Sequence, residues 1–298
     1  MQGIPNKRWL IVAGIAVALA VAAALVWSPS EPEYHGKPLR FWLQAFDPTY
    51  RSKPPGYSTN AMDEGPTRDE AETAIRAIGT NALPSLLRMI AYHPNPLEIK
   101  LRLLILKLPS ILRVQPTYLN PNSEALMAFY TLGTNAGPAV PQLIEICNRE
   151  SDQNTRFWVL AALGSIGPPA KAAIPMLLGI ASGTNSHLRE GAVVVLGDIH
   201  SDAADVVPTL ILCLGDPDPK IRLDSVLSLQ KFGEDAKLAG PALLELLRDP
   251  KRRAGPVYAF KGSPGAHGQS PSVGEMATNA LWEVDPALAR KAGMADRW

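Results

Sequence analysis

Residues 152–178 read DQNTRFWVLAALGSIGPPAKAAIPMLL, and the spacing within this stretch decides the fold. Asp152 is a residue type that accepts a hydrogen bond from the free N–H groups at a helix start. Leu160, Leu163 and Ile166 stand four, seven and ten residues after Arg156, which places them on one face of an α-helix. Gly167 follows where a helix commonly ends in a left-handed residue. Pro175 then suits the first turn of a second helix, because the N–H it lacks would have had no partner there. The stretch therefore predicts a helical hairpin.

The same frame recurs on both sides. Pro141, Pro175, Pro208 and Pro241 each open an apolar stretch, at spacings of 34, 33 and 33 residues. Nineteen residues before the last three stand Arg156, Arg189 and Arg222. Four before each arginine come Asp152, Asn185 and Asp218 as caps, and eleven after come Gly167, His200 and Gly233 as stops. Val193/Leu196/Ile199 and Val226/Leu229/Phe232 repeat the apolar face. Weaker copies run from Asn122 to Gly133 and from Arg68 to Gly79, with a last first-type helix over Met276–Trp282 and a closing one from Pro286 to Gly293. Leu97–Arg113 reads as an additional long helix that interrupts the stack. One such hairpin cannot bury its apolar face alone, so the pattern predicts an all-α fold, an α-solenoid of antiparallel helix pairs over residues 66–298. An insertion at 249–272, with Lys251, Arg252, Arg253, Tyr258 and Phe260, is long enough to be either functional or disordered.

Ahead of the solenoid, residues 9–27 (WLIVAGIAVALAVAAALVW) form a 19-residue uncharged run. As a helix it is about 28 Å long, close to the hydrocarbon thickness of a bilayer. Trp9 and Trp27 bracket it, and Lys7 and Arg8 lie in the short 1–8 segment, so a transmembrane anchor with a cytoplasmic N-terminus and an exported body is expected. A cleaved signal peptide, leaving a secreted body, is the alternative, since Ala18-Leu19-Ala20 and Ala22-Ala23-Ala24 have the small-residue form of a cleavage site. Residues 28–65 read as a linker with a short amphipathic helix at 38–46, whose Leu39, Trp42, Leu43 and Phe46 share one face and suit a cap on the first repeat.

The series Asp-x-x-x-Arg, an apolar helix closing on Leu-Gly-x-Ile-Gly and then Ala-Ile-Pro-x-Leu-Leu resembles the HEAT repeat and its HEAT-like bilin-lyase variant, best over Asp152–Leu178. The Asn122 unit departs by lacking the arginine, and the one near Gly274 lacks both arginine and stop glycine. Tyr34-His35-Gly36-Lys37-Pro38-Leu39-x-x-Trp42-Leu43, the two Gly-Thr-Asn-Ala copies at 79–82 and 133–136, and Asp285-Pro286-Ala287 resemble membrane-anchored bacterial HEAT-repeat proteins. The resemblance implies a solenoid and leaves the ligand open.

Lys+Arg 29 against Asp+Glu 28 leaves a net charge of +1, and without the first 27 residues the body is −1, which argues against a nucleic-acid binder. Two cysteines exclude a disulfide scaffold, and the five histidines show no metal-ligand spacing. No nucleophile elbow, P-loop, dinucleotide fingerprint or zincin motif occurs. No catalytic, cofactor or metal residues are therefore assigned. Arg156, Arg189 and Arg222 read as a ladder of guanidiniums paired with carboxylates of their own or the adjacent unit, the alternative being an anion-binding stripe. Phe157 and Trp158 occupy frame positions that hold Glu190 and Asp224 in other units, which suggests exposure on a groove. Packing of one of the two aromatics against the helix at 97–113 is the competing account. Phe157, Trp158, Glu190 and Asp224 are thus the candidate partner-binding residues of a non-enzymatic protein-binding scaffold. The enzyme-class rival is a bilin-lyase-like or other cofactor-handling protein, as the repeat resemblance implies.

Overall fold

A computed structural model describes residues 31–46, 65–93, 100, 121–248 and 272–294. Two short strands come first: β1 (Glu33–Tyr34) pairs antiparallel with β2 (Lys37–Pro38), with Glu33 opposite Pro38 and Tyr34 opposite Lys37. His35 and Gly36 both have positive φ (51° and 68°), as a two-residue hairpin turn with strand-matching twist requires. The fold is otherwise all-α as expected, and the pairing of this short hairpin depends on turn geometry, which the helical frame does not report.

The helices follow in pairs. Helix α1 (Leu39–Leu43) runs into a 3₁₀ turn at Gln44–Phe46, and its Leu39 and Leu43 are buried against α2 (Arg68–Ile78) and α4 (Pro121–Leu132). α2 pairs with α3 (Leu83–Ile90), and α4 with α5 (Val140–Arg149). Next come α6 (Gln153–Ile166) with α7 (Ile174–Ala181), and α8 (Ser186–Ile199) with α9 (Ala203–Cys213). α10 (Pro219–Phe232) with α11 (Gly240–Arg248) precedes the closing pair, α12 (Val273–Val284) and α13 (Pro286–Lys291).

Local chemistry sets the boundaries where the frame places them. Side chains of Asp152, Asn185 and Asp218 accept from the N–H groups of Thr155 (2.8 Å), Leu188 (3.1 Å) and Lys220 (2.9 Å). The stops Gly167, His200 and Gly233 take φ of 71°, 47° and 52°. His200 reaches the left-handed region without being glycine, and its ring meets Phe232 of the next unit at 4.9 Å. Pro141, Pro175 and Pro241 sit in the first turns of α5, α7 and α11.

Pro208 does not. In four of the hairpins the corner is a 3₁₀ stretch (79–82, 133–139, 168–173, 233–239), whereas α9 begins at Ala203, directly after left-handed Asp202. Pro208 is therefore the sixth residue of its helix. The bond it cannot make belongs to the carbonyl of Ala204, and both residues are exposed to water, so the proline is tolerated.

The first-type helices α6, α8, α10 and α12 pack directly on one another, while the second-type helices touch one another far less. Close approach is built into the sequence of the first layer. A Cβ on Gly164 would lie 3.1 Å from Val195 and Asp198, and one on Gly197 would meet Ser228 at 2.5–2.9 Å. The three apolar faces of the frame are fully buried between the layers, with only Phe232 slightly exposed.

The apolar run 9–27, the expected helix 97–113 and the insertion 249–271 lie outside the described residues. Among the described residues no helix is long and apolar enough to cross a membrane.

Candidate functional site

α6, α8 and α10 each present an arginine one turn after the cap, and the three arginines find different partners. Arg189 pairs with the carboxylate of Asp216, whose side chain is 3% exposed. Arg222 donates from Nη1 to the carbonyls of Asp216 (2.8 Å) and Pro217 (3.0 Å). Arg156 lies beside the Cys147 thiol of α5, with its buried Nε unpartnered. The expected guanidinium–carboxylate ladder thus holds at Arg189, while carbonyls and a thiol take the described places at the other two. For Arg156 the reason is visible in the frame: Asp216 counted back by 33 falls on Gly183, which carries no carboxylate, whereas for Arg222 the equivalent residue, Asp249, lies outside the described residues.

Cys147 and Cys213 are buried, and burial pushes both thiols up, against the opposing influence of Arg156 and Arg189 respectively. Neither is poised as a thiolate nucleophile. Among the described residues no group of histidines, cysteines and carboxylates is arranged to hold a metal ion.

The four candidate residues fall on a single strip across the N-terminal halves of α6, α8 and α10. The Phe157 ring stacks on His187 of the next unit (4.5 Å, 19° between planes), and Trp158 meets Phe157 edge-on at 5.9 Å. A Cβ on Gly191 would stand 3.8 Å from the Phe157 ring, so the glycine forms the shelf on which that ring lies. Glu190, beside this shelf, faces Asp224 of α10 closely enough to raise its pKa. Both aromatics are half-buried rather than exposed: Phe157 packs against an imidazole and a glycine of the next unit, and Trp158 against Phe157.

Asp224 is the electrostatically distinctive group of the strip. Its carboxyl is pushed up to about 7, first by burial and then by the nearby Glu190 and Asp218; Lys220 and Lys231 oppose the shift without cancelling it. Lys231 is itself bonded to Asp198 at 2.5 Å.

Two members of this region escape a reading of sequence spacing. His187 stands two residues before Arg189, and only the stack brings it under Phe157. His93, with no local partner in the sequence, meets Glu150 (3.1 Å), Thr155 (3.3 Å) and, at 3.9 Å, Asp152. It thereby ties the end of the first described helix pair to the cap of α6. The frame position shared by Phe157 and Glu190 was the usable signal; contacts between residues about 60 apart leave none.

The fold and the strip define a solenoid of stacked helical hairpins with a mixed aromatic and acidic face. Residues 174–255 match the family of HEAT repeats. No curated protein matches it. Three solved structures are similar at a distance. The complex of CpcE and CpcF of phycocyanin lyase from Nostoc sp. PCC7120 is 18% identical, with a TM-score of 0.41 over 67% of this chain and 97% of that one. An engineered protein is 13% identical, with a TM-score of 0.39 over 87% and 99%. Kap121p bound to Nup53p is 12% identical, with a TM-score of 0.43 over 86% and 30%.

Proposed function

We propose that this chain is a non-catalytic scaffold that holds a protein or peptide partner on the strip formed by Phe157, Trp158, Glu190 and Asp224. The observation that carries the reading is the continuity of that strip: stacked rings lead across the Gly191 shelf to two facing carboxylates on three consecutive units. Half-buried aromatics beside polar groups are the residues on which interfaces concentrate their binding energy. The partner is met on the far side of a membrane, with residues 9–27 as the tether and the N-terminus cytoplasmic.

Proximity labelling from the exported body, compared between the native chain and a Phe157→Ala/Trp158→Ala variant, tests the proposal. The variant loses the labelled partners that the native chain has. Identical sets of labelled proteins would remove the strip from consideration, and labelling confined to cytoplasmic proteins would refute the topology.

A further inference from the structure

We infer that a cleft at the N-terminal end of the stack, apart from the strip that starts at Phe157, binds a neutral saccharide. The cleft lies between the β1–β2 hairpin with α1 on one side and the first two turns of α2 on the other. Its volume of about 590 Å³ falls within the roughly 300–1,000 Å³ of small-molecule sites.

The hairpin side is aromatic. Trp42 meets Tyr34 at 5.7 Å and Phe41 at 5.1 Å, both edge-on, and its Nε1–H donates to the Lys37 carbonyl at 3.3 Å. Tyr34 and Trp42 pack against the core, so two of the three rings are ordered before a ligand arrives. Phe41 is half-buried, and the Lys37 ammonium stands over its face, 5.1 Å from the ring centre. The α2 side is polar, lined by Asp69, Glu70 and Thr73. Thr67 donates to Glu70 Oε2 from its N–H (2.9 Å) and its hydroxyl (3.0 Å), which fixes that carboxylate in place. Capping of α2 and docking of α1 account for Glu70, Tyr34 and Trp42, but neither requires an aromatic ring at Phe41 or a carboxylate at Asp69.

This lining decides among ligand classes by charge. A cation would share the cleft with Lys37, an anion would meet two carboxylates, and a purely apolar ligand would strip water from all three charges. A sugar avoids each cost. Its C–H groups carry a slight positive charge and suit the negative faces of aromatic rings. Each of its hydroxyls can donate to Asp69 or Glu70 and accept from Lys37.

Screening the full chain, in a detergent without a sugar headgroup, against an array of neutral mono- and oligosaccharides tests this. Titration calorimetry on the strongest binder should give a Kd of about 1 mM or tighter. Phe41→Ala and Asp69→Ala should each weaken it about tenfold, the order of one lost ring contact or one hydrogen bond to a charged group. The Phe157→Ala/Trp158→Ala variant should bind the sugar as the native chain does, so this inference and the strip reading fail separately. Affinity that grows with oligosaccharide length assigns the site to a polysaccharide chain and equal affinity assigns it to a free sugar; each supports the inference. No bound saccharide, tighter binding of tetramethylammonium, acetate or glycine, or a sugar affinity unchanged in both cleft variants would overturn it. Thermal melts by circular dichroism establish that the variants are folded, and Asp69→Ala, at an exposed position, serves alone if Phe41→Ala unfolds the chain.

Discussion

Arg189 and Asp216 form an ion pair between the first helix of one unit and the turn that leads into the next, and the same aspartate supports Arg222 through its carbonyl. Asp216 Oδ1 also accepts from the N–H of Asp218 at 2.8 Å, so a single buried side chain joins the ladder to the cap of α10. Repeat proteins are stabilised by their nearest-neighbour interfaces, and here the ion pair adds to the buried apolar faces of α8 and α10.

Asp216→Ala therefore strands a mostly buried guanidinium and removes a turn bond together. Breaking a buried pair by deleting one partner costs on the order of 3–5 kcal/mol, whereas a surface pair is worth about 1 kcal/mol or less. Urea unfolding should show a large loss for Asp216→Ala and a small one for Lys171→Ala, whose partner Asp202 lies at 2.8 Å on the surface. Equal losses would contradict the assignment.

Two glycine substitutions should move stability in opposite directions. Gly197→Ala drives a methyl into Ser228, whose backbone Cα lies 2.9 Å from the new atom and whose hydroxyl donates to Val193 across the stack at 2.9 Å. The loss expected for overpacking is about 1–3 kcal/mol. Gly179→Ala meets nothing within 4 Å in α7, so the gain in helix propensity dominates at roughly 0.5–1 kcal/mol. Denaturant midpoints of the two variants decide the matter.

Asp224 makes stability depend on pH in a defined window. Its folded pKa, about 7, lies above the ordinary aspartate value near 3.9. Below both values the carboxyl is neutral in either state and contributes no difference. Between them the unfolded chain ionises while the folded chain keeps its proton, so stability falls as pH rises toward 7 and then levels. Asp224→Asn should match the native chain near pH 4 and exceed it at pH 8. The same pair of urea titrations repeated at pH 4, 6 and 8 measures this, and an unchanging difference would show that Asp224 does not titrate there.

The bilin-lyase-type reading predicts a visible chromophore on the protein. Incubation with phycocyanobilin followed by gel filtration should instead give a protein peak without visible absorbance, as a binding scaffold without a cofactor requires. Co-eluting colour that withstands denaturation would reverse this.

What the sequence determined by itself was everything that acts within a few residues along the chain. The caps Asp152, Asn185 and Asp218, the left-handed stops and the apolar triplets are relations between a side chain and its own turn of helix, so their spacing alone reveals them. The candidate strip was legible only as a frame position: Phe157, Trp158, Glu190 and Asp224 could be aligned, but not their half-buried state or the imidazole beneath Phe157. The early start of α9 ahead of Pro208 depends on left-handed Asp202, and the hairpin at Glu33–Pro38 on left-handed His35 and Gly36, conformations that the helical frame does not report. Only the tertiary structure decided which partner each arginine met, how close Gly197 came to Ser228, and where His93 landed. Those outcomes are set by the distance between helices remote in the chain, and that distance is the net result of every side chain packed between them.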